Sequence, residues 1–348
     1  MIIITEKNKS VETKDFHGEK LALNEIKAIE EIETVIGKRL SVVDDIEAGT
    51  NNIHIKGGHV IEMRLAGNRI TNLPESLFSF KKLQILDVQY NNLTTIPESI
   101  GNLKLLKVLN LYHNRLTNLP ESIGKLESLE SLFIEDNQLF SLPASISKLK
   151  LLQLLFLTQN ELTSLPESIG DLESLKELTL EGNKLKDLPE SIGNLKSLLS
   201  IKLYGNRLKK IPDSIWNLES LMGLDLSGQH LKSLPESIGN LKKLQILDLN
   251  GNELSYLPES IKNLEKLRGL NLSSNNFENL PKSIGNFEWL IVLRLYDNQL
   301  KSLPESIVNL TLKHLDLRKN PLTTLPKSIK KWIKDLKDKD CKIQMENL

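Results

Sequence analysis

The sequence repeats itself every 23 residues, and this period limits the fold more than any other feature. Residues 96–120 read IPESIGNLKLLKVLNLYHNRLTNLP, and residues 234–258 read LPESIGNLKKLQILDLNGNELSYLP. Asparagine recurs at this spacing from Asn68 to Asn298, with Gln229 in the one gap, and the last repeat has 22 residues. Since no single repeat can bury its apolar edge alone, the pattern predicts a stack of twelve coils.

Each repeat follows the pattern LxxLxLxxNxLxxLPxxIxxLxx, and apolar residues fill its seven apolar positions in all twelve repeats of residues 60–326. The LxL alternation predicts a short strand with one buried face, and the segment after proline predicts one turn of α or 3-10 helix. The asparagine amide can bond turn backbones of adjacent coils. We therefore expect an α/β right-handed solenoid, a horseshoe with a parallel concave sheet and short helical or 3-10 turns on its convex side.

The two ends of the chain depart from the repeat, as expected for caps that cover an exposed core. Residues 1–59 are expected to form an N-terminal cap with a candidate strand at Met1–Thr5, a hairpin turn at Gly57–Gly58, and a helix within residues 19–39. The apolar residues at helical spacing are Leu21, Ile26, Ile29, Ile32 and Ile36. Residues 327–348 are expected to form a C-terminal helix and an edge-covering strand. The apolar residues of these two elements are Ile329, Trp332, Ile333 and Leu336, followed by Cys341, Ile343 and Met345.

Charge and composition exclude several functional classes. Lys and Arg total 45, Asp and Glu total 45, and the net charge is zero, which removes the general electrostatic argument for nucleic acid or an anionic membrane. The longest apolar run, from Trp289 to Leu293, is far too short to span a bilayer, and we find no secretion signal. With one cysteine, Cys341, no disulfide framework is possible within the chain. We expect a cytoplasmic monomer without membrane or nucleic-acid partners.

The pattern resembles the leucine-rich repeat family over residues 60 to about 333. Its LP-x-S-I-G-N-L variant is most similar to the intracellular group that includes Ras-suppressor and Scribble-type scaffolds and microbial relatives. The resemblance implies a curved protein-binding module. It does not identify the partner.

No catalytic constellation is visible in the sequence. Phosphate-binding loops, dinucleotide-binding turns, HExxH helices and GxSxG elbows are absent, and Cys341 has too little chain around it for a ligase domain. His54 and His59 flank the predicted hairpin turn but lack a third metal ligand. We expect a non-enzymatic protein without cofactor or metal.

Residues between and beside the core leucines of each strand should face the concave side. Apolar groups there mark partner sites, because a scaffold alone needs only small or polar residues. Aromatic stacking for stability is the alternative interpretation. The predicted protein-binding residues are Tyr90, Tyr112, Phe133, Glu135, Phe156, Lys202 and Tyr204, with Val292, Arg294 and Tyr296 as a weaker second patch. Trp216, which replaces the usual glycine, and Trp289 are both expected to pack against an adjacent coil.

The sequence thus favours a scaffold that binds a protein or peptide on the concave face of repeats 2–7. Two alternatives stay open. One is a self-assembling structural protein, because residues 19–47 carry a net charge of −4 and residues 327–342 a net charge of +4. The other is the recognition module of a multi-protein enzyme complex, such as one in a small-GTPase or ubiquitin pathway.

Overall fold

The structure, a computed structural model, describes residues 13–16, 18–43 and 51–346. The predicted strand at Met1–Thr5 lies outside the described residues. Two compact units are divided between Gln138 and Leu139, and each is described by itself. Repeats are numbered 1–12 from residue 60.

The first unit contains eight of the described strands and one α-helix. A two-stranded antiparallel hairpin precedes the helix, β3 and β4 are parallel, β4 and β5 are antiparallel, and β5 to β8 are parallel in sequence order. The elements are β1 (Thr13–Phe16), β2 (Glu19–Ala22), α1 (Leu23–Ile36), β3 (Ser41–Val42), β4 (Asn52–Lys56), β5 (His59–Arg64), β6 (Ile85–Asp87), β7 (Val108–Asn110) and β8 (Ser131–Phe133).

The second unit contains nine described strands, and every consecutive pair is parallel. The elements are β9 (Leu154–Phe156), β10 (Glu177–Thr179), β11 (Ser200–Lys202), β12 (Gly223–Asp225), β13 (Ile246–Asp248), β14 (Gly269–Asn271), β15 (Val292–Arg294), β16 (His314–Asp316), α2 (Lys327–Lys337) and β17 (Lys342–Gln344).

Between successive repeat strands the chain makes a five-residue 3-10 turn, each one following a proline in extended conformation. Proline suits this place because its ring fixes φ. It also has no backbone N–H, and an N–H at the start of the turn would have no partner within the turn. Parallel strands alternating with 3-10 turns confirm the predicted fold class. The turns are Glu75–Ser79, Glu98–Asn102, Glu121–Lys125, Ala144–Lys148, Glu167–Asp171, Glu190–Asn194, Asp213–Asn217, Glu236–Asn240, Glu259–Asn263, Lys282–Asn286 and Glu305–Asn309.

Asparagine side chains join neighbouring repeats in the way the sequence predicts. Asn91 Nδ2 donates to Leu65 O and Val88 O at 2.8 and 2.9 Å, and its Oδ1 accepts the Ile70 N–H at 3.0 Å. Asn252 repeats this pattern in the second unit. The amide thereby pairs backbone groups that the stacked leucines would otherwise leave buried and unbonded.

Both caps are present, with one correction. The hairpin of β4 and β5 turns at Gly57–Gly58, and α2 buries Ile329, Trp332, Ile333 and Leu336, as predicted. The expected strand after Cys341 is β17, which pairs with β16. The prediction that Leu21 belongs to the helix is wrong: Leu21 lies in β2 opposite Lys14, and α1 begins at Leu23 after Ala22 in extended conformation.

Candidate functional site

The residues on either side of each strand's buried central leucine or isoleucine form what we call the open face of the sheet. In β7, for example, Leu109 is fully buried, whereas Val108 and Asn110 are half-buried on the other side. The strand register aligns the open-face residues of successive repeats into columns. The central column reads Arg64, Asp87, Asn110 and Phe133 in the first unit, and Phe156, Thr179, Lys202 and Asp225 at the start of the second.

An aromatic cluster stands beside the open face of the first unit. The Tyr90 and Tyr112 rings meet edge to face, with centroids 5.1 Å apart, and the His113 ring lies 5.0 Å from Tyr90 and 5.9 Å from Tyr112. Tyr90 remains 50% exposed. The hydrogen bond between the two phenols and the electrostatic interaction with Tyr90 raise the pKa of Tyr112, so the Tyr112 phenol stays protonated at neutral pH. The cluster therefore presents rings with polar edges to solvent, a combination common at protein interfaces.

Two members of this aromatic cluster have a backbone conformation that disfavours large side chains. Tyr90 and His113 both have φ of 53°, in the left-handed region. At the equivalent position four consecutive repeats of the second unit use glycine, at Gly182, Gly205, Gly228 and Gly251, and other repeats hold a polar residue with positive φ. These polar residues are Asp136, Gln159, Ser274, Asp297 and Lys319. The turn itself therefore requires only the left-handed conformation, and the rings at Tyr90 and His113 are held there at an energetic cost.

Polar contacts hold the aromatic cluster in place. Asn110 Oδ1 accepts the Tyr112 N–H at 3.0 Å, and the Tyr90 N–H donates to Tyr112 O at 2.9 Å. The His113 ring nitrogen Nδ1 bonds the Asp136 carboxylate, and its backbone N–H donates to Glu135 O at 3.0 Å. The predicted residue Glu135 thus supports the cluster through its backbone.

Phe133 and Glu135 are half-buried on the open face of the first unit, Phe133 in register with Asn110. His113 is not among the site residues predicted from the sequence. The signal that could have found it is the period itself, because His113 lies 23 residues after Tyr90 and directly follows Tyr112.

The other three predicted site residues lie in the second unit. Phe156 is half-buried in register with Thr179, and Lys202 is exposed, with its ammonium 3.9 Å from Glu181. Tyr204 is 54% exposed, and its ring covers Gly228, where an added Cβ would lie 3.4 Å from Tyr204 Cε2. An anchor ring, a cation and a second ring therefore occur on strands β9 to β11 and the turn after them.

The remaining sequence candidates have mixed outcomes. Tyr296 of the weaker patch lies between two cations, Arg318 at 5.3 Å and Lys319 at 5.0 Å from its ring centroid, so its ring is engaged within the chain. Trp216 is buried at 2% exposure, as predicted. The same expectation for Trp289 is wrong, because its position just before β15 leaves the indole 59% exposed.

Stacked parallel strands, 3-10 turns and a buried asparagine column define a repeat protein with an exposed sheet face. Three family profiles match the chain. The one described as leucine-rich repeat region matches residues 98–183, the one described as leucine rich repeat matches residues 59–116 and 220–277, and the one described as Leucine Rich Repeat matches residues 174–195 and 311–332. No curated protein matches the chain in sequence.

Solved structures give the same assignment. A leucine-rich-repeat protein of Leptospira interrogans is 36% identical over 82% of this chain and 78% of its own, with a TM-score of 0.69. A plant peptide-hormone receptor solved in complex with the peptide RGF2 is 25% identical over 93% of this chain and 58% of its own, with a TM-score of 0.60. An internalin of Listeria monocytogenes, 20% identical over 92% and 94% with a TM-score of 0.65, shares the fold.

The chain belongs to the leucine-rich repeat family. Domains of this family generally mediate protein–protein interaction, and they are typically binding modules and not enzymes. Neither α-helix of the described residues has the length and apolarity needed to cross a membrane.

Proposed function

We propose that the protein is a non-enzymatic interaction scaffold that binds a protein or peptide on the open face of repeats 2–7. The single observation that carries the proposal is the exposed cluster of Tyr90, Tyr112 and His113 in the first unit. Two of these rings occupy a left-handed turn position that holds glycine or a polar residue in the other repeats, so the turn itself does not require an aromatic ring there.

The second unit adds Phe156, Lys202 and Tyr204 to the proposal, as an independent group of interface-type residues. Aromatic anchors with a nearby cation are enriched where proteins bind one another. The similar plant peptide-hormone receptor, solved in complex with RGF2, supports a peptide as the partner class. The LP-x-S-I-G-N-L variant favours an intracellular scaffold that acts as a monomer, either alone or as the recognition module of an enzyme complex.

Self-assembly through the charged caps has weaker support. Two of the acidic residues counted in the N-terminal cap are buried and bonded within it. Glu25 accepts the Val60 N–H at 2.9 Å and pairs with His59, and Glu33 accepts the Leu40 N–H at 2.8 Å and pairs with Arg39. These carboxylates are not available to a second copy of the chain.

The test is affinity capture from an extract of the source organism, followed by quantitative mass spectrometry. Two double variants probe the units separately: Tyr90→Gly with Tyr112→Ser, and Phe156→Ser with Tyr204→Ser. Each should lower affinity for the captured partner about thirtyfold or more, because buried aromatic anchors contribute at least 2 kcal/mol each. A control, Phe140→Ser with Trp289→Ser, removes two exposed aromatic rings outside the open face and should change nothing. Equal capture by wild type and both site variants would refute the proposal.

A further inference from the structure

Trp216 is the bulkiest departure from a packing arrangement that glycine allows in six of the eleven 3-10 turns. The fourth residue of the 3-10 turn is glycine in most repeats, because the next coil approaches closely: a Cβ on Gly239 would lie 2.7 Å from Ser260 Cβ, and one on Gly101 would lie 2.9 Å from Ser122 Cβ. Real Cβ atoms do not approach this closely. In repeat 7 this place holds the largest side chain available, and Trp216 is nevertheless 98% buried. Repeats 7 and 8 must therefore separate locally to admit the indole.

A cleft opens beside Trp216. It has a volume of about 760 Å³ and extends along three successive repeats, from Lys209 and Ile211 through Leu231 and Pro235 to Tyr256. Pro235 is exposed, whereas the corresponding prolines of the neighbouring repeats, Pro212 and Pro258, are buried. Trp216 also lines a second cleft of about 390 Å³. Beside Trp216 the edge of the repeat stack therefore has an accessible slot, which both apolar and charged residues line.

A second departure from the repeat occurs next to the same slot. Gln229 stands where other repeats have asparagine, and it directly precedes the lining residues His230 and Leu231. In the previous repeat Asn206 Oδ1 accepts the Leu185 N–H at 3.1 Å, but Gln229 Oε1 is buried and has no hydrogen-bond partner. One of the bonds that tie adjacent coils is therefore missing between repeats 7 and 8.

The chemistry of the slot favours an acidic ligand with an apolar group. The Trp216 indole Nε1 is buried and has no acceptor among the described residues, so it is an unsatisfied donor beside the cleft. At the rim the ammonium groups of Lys209, Lys210 and Lys232 are exposed, and none forms an ion pair within the described residues. Two carboxylates also line the cleft. Glu236 accepts the backbone N–H groups of Glu259 and Ser260 at 3.2 and 2.9 Å, and Asp213 is exposed, so the three lysines outnumber the acids.

We propose that this slot binds an acidic peptide segment of a partner protein, which inserts one large apolar side chain against Trp216. A carbonyl oxygen of the segment accepts the indole N–H, and flanking carboxylates pair with Lys209, Lys210 and Lys232. The surface lies outside the open face and uses none of its residues. It is therefore a separate interaction site, and its failure would leave the proposed function untouched.

The test uses three fluorescein-labelled, amidated hexapeptides and the full-length protein at low salt. The first has one phenylalanine among five acidic residues, the second replaces that phenylalanine by alanine, and the third replaces the acids by lysine. Fluorescence anisotropy should show the first peptide binding about tenfold or more tightly than each of the others, since the anchor and the charges both contribute. Equal binding of the alanine peptide, or no binding of the first peptide, would overturn the proposal.

Variants locate the site. Trp216→Gly restores the repeat pattern and should fold, which circular dichroism checks, yet it should weaken binding about thirtyfold because the anchor surface is lost. Trp216→Phe keeps the wedge but removes the donor and should weaken binding by a smaller factor. Lys209→Glu with Lys232→Glu should abolish binding, whereas the matched charge change Lys266→Glu with Lys313→Glu, on the other side of the coils, should not. Undiminished binding by Trp216→Gly would refute the assignment.

Discussion

At the scale of single residues, one methylene group separates an intact repeat from a defective one. Asparagine at Asn252 bonds both ways, with Nδ2 donating to Leu226 O and Leu249 O and Oδ1 accepting the Leu231 N–H. The longer Gln229 still donates to Leu203 O and Ser227 O, but its displaced Oε1 finds no partner. An unbonded buried acceptor costs free energy that asparagine avoids.

Gln229→Asn is therefore expected to stabilise the protein by about 1–3 kcal/mol, the cost of an unsatisfied buried polar group. Urea denaturation followed by circular dichroism measures the change. The reciprocal substitution Asn252→Gln places the same defect one repeat further and should destabilise. A lower midpoint for Gln229→Asn would show that its backbone does not return to the regular course.

Asp248 on the open face of the second unit gives a pH-dependent prediction. Burial raises the pKa of Asp248 against the opposing hydrogen bonds from Asn250 and Asn271. The folded state therefore holds this proton more tightly than the unfolded state. The penalty for ionising Asp248 is absent below the ordinary aspartate pKa of about 3.9, and it grows as the pH rises through the raised value.

Asp248→Asn should consequently be more stable than wild type at pH 7, with the advantage disappearing as the pH falls below the ordinary aspartate pKa. Asparagine already occupies this column at Asn110 and Asn271, so the side chain fits. Urea midpoints of both proteins across this pH range measure the difference. A difference that does not depend on pH would show that burial of Asp248 carries no charge penalty.

At the scale of elements, the 3-10 turns need glycine because the next repeat approaches its Cα closely, and not because the backbone has an unusual conformation there. Gly239 packs on Ser260 of the next repeat, whereas Gly269 in β14 has only Ile246 side-chain atoms near, at 3.9 Å or more from an added Cβ. Gly239→Ala should therefore destabilise by about 1–3 kcal/mol through overpacking. Gly269→Ala is the matched control and should be tolerated, because its added Cβ would make only ordinary van der Waals contact with Ile246. Equal urea midpoints for the two variants would contradict this account.

The same contrast explains which elements could be predicted. A strand that recurs twelve times and a turn that recurs eleven times can be predicted, because each copy repeats the same apolar positions and the same proline. The hairpin of β1 and β2 occurs only once among the described residues, and its strands have four residues each. Unlike the hairpin of β4 and β5, it does not have glycine at both central positions of its turn. Leu21 fits helical spacing as well as strand alternation, so only the pairing with β1 decides its place.

At the scale of the whole molecule, stability depends on the caps, because each repeat gains its core only from its neighbours. Trp332 of α2 is 94% buried, and its Nε1 donates to Leu310 O at 2.8 Å. Trp332→Ala should lower the free energy of unfolding by about 3–5 kcal/mol. Hydrogen exchange should accelerate most in β16 and β17. Trp289→Ala, at an exposed indole, should stay within about 0.5 kcal/mol of wild type. Uniformly faster exchange in β9 to β17 would contradict a local role for the cap.

The candidate site shows where prediction from sequence ends. The columns of the open face follow from the period, which fixes register, and the structure places Phe133 and Phe156 in them as expected. The burial of side chains that depart from the repeat cannot be predicted from the period, because it depends on how far the adjacent coils move apart. Trp216 and Trp289 carry the same indole, yet one is enclosed and the other exposed.

Trp216 interrupts the regular packing of an otherwise repetitive stack of coils. Its indole is also a fluorophore whose emission shifts when water reaches it, so this residue can be used to follow local opening of the stack. The other two tryptophans, Trp289 and Trp332, lie outside the turn that holds Trp216. Replacing both with phenylalanine leaves Trp216 as the single tryptophan probe, beside the cleft. Local loosening between repeats 7 and 8 then becomes visible as a red shift before the stack as a whole gives way.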